Sequence, residues 1–150
     1  MEYRIEEKSQ FTVMGVSRKF NPETGYQKIP EFWSEMMGKP SFPLMGKYGI
    51  CVDADPDDGE FDYWIADDHT PENVIPADCK ILTIPGGIWA IFPCTLKTLQ
   101  ETNTQIWQKW LPNSREYKLK GHYDIELYGD FCEEDPSKSY IEIWLPIENV

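Results

Sequence analysis

Apolar positions along this chain fall into short alternating runs divided by turn residues, with two stretches at helical spacing. From Tyr3 to Phe20, Phe11, Val13 and Gly15 alternate against Thr12, Met14 and Val16, which predicts one long or bulged strand. Asn21-Pro22-Glu23-Thr24-Gly25 breaks it. Ile29, Phe32, Trp33, Met36 and Met37 then form one stripe, predicting a helix over 29–37 with Pro30 in its first turn and Gly38 and Pro40 as the stop. Strands are predicted at 48–52 and 61–66, joined by an acidic loop in which Asp58-Gly59 is a hairpin signal. Pro71 and Pro76 mark 67–78 as a connector.

The pattern recurs in the second half. Strands at 80–85 and 88–93 flank Gly86-Gly87, and a helix over 96–111 turns Leu96, Leu99, Ile106, Trp107 and Trp110 inward before Pro112. Strands at 123–128 and 140–147 finish the chain. The order strand, helix, strand, strand thus occurs twice, in halves of about 1–67 and 79–150, with Trp64 matching Trp144 and an acid two residues before each, Asp62 and Glu142. The expectation is one α+β domain over 1–150: an antiparallel sheet, two helices on one side, and a ligand cleft at a pseudo-twofold axis between the halves.

The last strand carries the candidate chemistry. Ile141, Ile143, Leu145 and Ile147 take one face, and Tyr140, Glu142 and Trp144 the other. Glu142 either faces solvent, as half of an antiparallel strand does, or is buried. If buried, its charge is met by a raised pKa, an internal Lys or Arg, or a cationic ligand. Six tryptophans offer faces on which a cation gains about 0.5–2 kcal/mol. Alternation permits Trp89 in a cleft and leaves open whether Tyr63 or Trp64 lines it, while Trp107 and Trp110 read as helix-to-sheet packing.

Composition narrows the function classes. Fourteen Lys and Arg against 26 Asp and Glu give a net charge of −12, which repels phosphate backbones and argues against direct nucleic-acid binding. Cys51, Cys79, Cys94 and Cys132 are widely spaced, the first residues are charged, and no apolar run suits a membrane span, so a cytoplasmic protein with free thiols is expected. Asp53, Asp55 and Asp57 start like a calcium loop, but Asp58 stands where the turn glycine belongs and Trp64 where the bidentate glutamate belongs. His69 and His122 stand alone, and neither a metal set nor a phosphate-cradling loop is present, so no metal or cofactor is expected.

Several segments, in order along nearly the whole chain, carry a resemblance. They are Phe11-Thr12-Val13-Met14-Gly15-Val16-Ser17-Arg18, Ile29-Pro30-Glu31-Phe32-Trp33, Gly59-Glu60-Phe61-Asp62-Tyr63-Trp64-Ile65-Ala66, Ile88-Trp89-Ala90-Ile91-Phe92, Trp110-Leu111-Pro112 and Glu142-Ile143-Trp144-Leu145-Pro146. With them the chain resembles the GyrI-like small-molecule-binding domains, which also serve as effector domains of AraC-type and MerR-type bacterial transcription regulators. The resemblance implies a duplicated α+β fold with a central cleft, a last-strand glutamate (here Glu142) facing a lipophilic cation, and Tyr63 and Trp89 at cleft positions.

The resulting expectation is a binding module for a cationic or amphipathic aromatic small molecule. Glu142 supplies the charge, and Trp89, Trp144, Tyr63, Tyr140 and Trp33 the aromatic surface. Members of the family as regulators carry a DNA-binding segment before this domain, whereas this sequence starts at its first strand, so the expectation is a stand-alone binding protein or a sensor domain cut from, or paired with, a DNA-binding regulator. Two other classes remain. One is a hydrolase of reactive cyclopropane-type compounds, with Glu142 as general base and Tyr63 or Tyr140 steadying the leaving oxygen. The other is a gyrase-binding inhibitor that uses the negative surface as a mimic of DNA.

Overall fold

The computed structural model describes residues 1–150 apart from 22, 24, 56–59, 73, 122 and 130–131, and gives the backbone alone for 26 and 53–55. The proposed hairpin turn at Asp58-Gly59 and most of the calcium-like loop therefore lie outside the described residues. The chain is α+β and forms two compact units, Met1–Phe11 with Pro85–Val150, and Thr12–Ile84. Neither unit follows the halves expected from the repeat, because the first eleven residues go with the second half and residues 79–84 with the first.

The discontinuous unit holds strands β1 (Arg4–Lys8), β6 (Gly87–Thr95), β7 (Tyr117–Leu119), β8 (Tyr123–Tyr128) and β9 (Tyr140–Asn149). Its strands run in the order β1-β6-β9-β8, all antiparallel, with β7 also on β9. Helix α2 (Leu99–Gln105) continues through a π turn, Ile106–Trp110, into a last turn at Leu111–Asn113. The helical run covers one sheet face, where Ile106 packs on Ala90, Phe92, Ile143, Leu145 and Ile147, with Leu99, Trp110 and Leu111 around them. On the other face Trp89, Ile91, Ile125 and Trp144 are buried as well. β9 is thus covered on both sides over most of its length, which is why Glu142 does not face open solvent.

The continuous unit holds β2 (Phe11–Phe20), α1 (Gly25–Met37), β3 (Tyr48–Asp55), β4 (Glu60–Asp68) and β5 (Lys80–Ile84), in the strand order β5-β2-β4-β3. Helix α1 lays Phe32, Ile29, Trp33 and Met36 on Phe20, Phe61, Tyr63 and Ile65. The two units therefore repeat one plan: an edge strand, a strand that leads into the helix, then a strand bearing the matched Trp, then a fourth strand. What the sequence conceals is the edge. β1 precedes β2 in the chain yet pairs with β6, and β5 precedes β6 yet pairs with β2.

Other departures have local causes. The expected single strand over Tyr3–Phe20 is two strands, since Lys8 ends its pairing with β6 and Phe11 begins β2. Helix α1 starts four residues early, which places Pro30 inside it rather than in its first turn. The helix expected over 96–111 begins at Leu99 and passes Pro112 by one residue. Pro112 cannot donate to residue 108, and its ring crowds that carbonyl, so the helix widens just before it. The wider turn shifts the inward face, taking Trp110 and Leu111 to the core while Trp107 stays 37% exposed and donates to Asn103 instead.

Candidate functional site

Glu142 is 6% exposed and is nonetheless ionised. Burial alone raises its pKa, but hydrogen bonds from Tyr140, Trp144 and Arg4 and the Arg4 charge together hold it below the usual carboxylate value. Arg4 Nη2 donates to Oε2 at 2.9 Å, Tyr140 Oη donates to the same oxygen at 2.7 Å, and Trp144 Nε1 donates to Oε1 at 3.0 Å. Among the outcomes open to the sequence, the structure holds an internal arginine. The charge of the carboxylate is thus met within the chain. Tyr140 and Trp144 serve Glu142 through their polar edges rather than as bare stacking walls.

Register explains the cluster. Arg4 pairs with Ile91, Ile91 with Trp144, and Pro93 with Glu142, so the side chains of Arg4, Trp144 and Glu142 stand on one face across β1, β6 and β9. Lys8, on the same face of β1, puts its ammonium 4.5 Å from the Trp144 ring centre. Trp89 packs edge-on against Trp144 at 6.1 Å and Tyr123 at 5.7 Å. Trp89 is 1% exposed and, among the described residues, its indole N–H meets no acceptor, an arrangement that costs about 1–3 kcal/mol where it persists.

Tyr63 and Trp33 belong to the continuous unit and to its helix-packed core, where Trp33 Nε1 donates to Tyr63 Oη at 2.9 Å. The structure therefore brings together Glu142, Tyr140, Trp144 and Trp89, and separately Tyr63 and Trp33.

A second acidic feature escapes the alternation pattern. On β8, Glu126 stands opposite Ile143 and Tyr128 opposite Ile141, so Asp124, Glu126 and Tyr128 point to the helix-packed face. Asp124 keeps part of its surface accessible, yet burial and then the neighbouring Glu126 push its carboxyl up to about 7. Burial also raises Glu126, against a 2.5 Å hydrogen bond from Tyr128. Burial first, and Glu126 second, push the Cys94 thiol to about 11, which places that carboxylate's field beside β6. No Lys or Arg pairs with Asp124 or Glu126 among the described residues. No group of three His, Cys, Asp or Glu side chains there is arranged to hold a metal ion.

Chemically, then, one buried carboxylate is matched by an internal guanidinium, and two others compete for a proton. A positive charge brought to the two β8 acids would favour their ionised forms.

Comparison with known proteins supplies the family. Its profile, described as Cass2, integron-associated effector binding protein, matches residues 4–147. Comparison by sequence with curated proteins finds no match. Among solved structures, SAV2435 bound to tetraphenylphosphonium superposes with a TM-score of 0.71 at 22% identity, over 99% of this chain and 94% of that one. An integron cassette protein, Cass2, from Vibrio cholerae gives 0.70 at 18% identity, over 97% of this chain and 95% of that one. The C-terminal domain of EcmrR gives 0.60 at 16% identity, over 99% and 98%. These likenesses establish a shared fold, and the match over residues 4–147 establishes kinship: the chain belongs to the Cass2 family of integron-associated effector binding proteins.

Proposed function

We propose that this chain is a receptor for a small lipophilic cation and that Asp124 and Glu126 supply the charge that holds it. The observation that carries this reading is a pair of desolvated carboxylates, two residues apart on β8, with no cation on either among the described residues. A ligand with one diffuse charge inside apolar surface loses little solvation on entering such a place and relieves the repulsion between the acids. The phosphonium held by SAV2435 has that chemistry. A net charge of −12 concentrates cations around the protein before they bind.

A second reading keeps the charge at Glu142, with Trp89, Trp144 and Tyr140 around it. It is favoured by the unpartnered indole N–H of Trp89, which an acceptor atom on a ligand would satisfy. For partners, a DNA-binding regulator and gyrase are the proposals that follow from the family. A gyrase supercoiling assay that stays unaffected at low salt removes the latter.

Titration of tetraphenylphosphonium by tryptophan fluorescence tests the main reading. The wild type is expected to bind, with a loss of roughly tenfold or more in D124N/E126Q from removal of a close charge pair. Unchanged affinity in that double variant overturns it, and loss in E142Q instead transfers the site to the other face.

A further inference from the structure

We propose that Arg4 is a resident counter-ion occupying the cation position of a guanidinium or amidinium receptor built from Glu142, Tyr140 and Trp144, so that the chain keeps this receptor closed with its own first strand. The inference rests on the second reading above, that Glu142 lies in a ligand site, and adds what gates it.

The pair is asymmetric. Glu142 is buried and accepts from two donors on its own strand, whereas the Arg4 side chain belongs to another strand, is 45% exposed and also reaches Glu6 at 3.4 Å. A guanidinium that enters from the solvent side can leave the same way without opening the core. Its strand is short as well: β1 has five residues and ends the row β1-β6-β9-β8. The same strand also supplies the second contact an aromatic-binding cation would make, the Lys8 ammonium over the Trp144 ring. One edge strand thus fills both the carboxylate and the ring.

The other unit offers a comparison. Its edge strand β5 opens with Lys80, as β1 opens with Arg4, and the Lys80 ammonium lies 5.2 Å from the Trp64 ring centre. The matched acid Asp62 stays half-buried. The first cation of the edge strand reaches the tryptophan ring in that unit, whereas Arg4 reaches the buried carboxylate in this one. A tethered cation competes at an effective concentration in the millimolar range, so an external ligand binds only in the fraction of molecules where Arg4 has swung away.

The test uses the full chain and benzamidine, a planar amidinium, followed by tryptophan fluorescence and thermal melting. R4S is expected to bind benzamidine about tenfold or more tightly than wild type, and benzamidine at millimolar concentration is expected to raise the melting temperature of R4S but hardly that of wild type. Neutral benzyl alcohol should do neither, and R4S/E142Q should not bind. If R4S binds no more tightly than wild type while R4S/E142Q loses binding, the gate is wrong and the Glu142 site stands. If R4S/E142Q binds as R4S does, the Glu142 site itself is wrong. R4Q, which keeps side-chain length, serves for the same comparison should R4S fail to fold.

Discussion

At the scale of single residues, the account turns on which carboxylates have their charge met. Glu142 has three donors, one of them the Arg4 guanidinium, whereas Asp124 titrates near 7. The sign of the consequence follows from linkage. An aspartate raised from its ordinary 3.8 keeps its proton in the folded state where the unfolded chain has lost it, so folding weakens as pH climbs from about 4 to 7 and levels off above. D124N is expected to flatten that slope and to be more stable than wild type at pH 8 by on the order of 2 kcal/mol. Urea melts at pH 5 and pH 8 check this, and equal slopes in both proteins would contradict it. The two acids also mark where sequence reading stops. Tyr123-Asp124-Ile125-Glu126-Leu127-Tyr128 alternates like a half-exposed strand, and only the pairing of Glu126 with Ile143 shows that its polar side faces the helix. Glu142 stands out in sequence because its strand is so apolar, but its partner lies 138 residues away, beyond any local pattern.

At the scale of elements, periodicity recovers most strands and both helices, and its failure in the second helix has a definite cause. A pattern of period 3.6 assumes a regular helix, and the π turn at Ile106–Trp110 breaks that assumption. Trp107 and Trp110 are consequently not equivalent. W110A, which empties the space against Phe92 and Tyr3, is expected to cost about 3–5 kcal/mol. W107A, on the exposed side, should cost less than about 1 kcal/mol. Denaturant midpoints for the two variants decide it, and similar losses would mean that the helical face is placed wrongly. Strand β7 escapes the pattern because three residues are too few to show alternation.

At the scale of the molecule, the repeat is legible as matched elements but the ownership of the edge strands is not. Residues 1–11 belong with 85–150, so removing 1–10 takes away one of the two strands paired with β6, together with Arg4 on Glu142 and Lys8 on the Trp144 ring. Hydrogen exchange should then show loss of protection in 87–95 and little change in α1, whose core is within the continuous unit. Loss of protection centred on α1 would contradict the assignment. The charge of −12 acts on the same scale. Raising ionic strength from 0.02 to 0.3 M should weaken cation binding severalfold, as the Debye length shortens from about 20 Å to about 6 Å.

The central claim, that Asp124 and Glu126 meet a ligand's positive charge and that the ligand displaces the proton burial favours on Asp124, is tested most directly by calorimetric titration of the phosphonium at pH 7 in two buffers of different ionisation enthalpy. The account predicts net proton release on binding, an affinity that rises between pH 6 and 8, and loss of the proton signal in D124N/E126Q. Tight binding with no proton released, equal at both pH values and in the double variant, would contradict it.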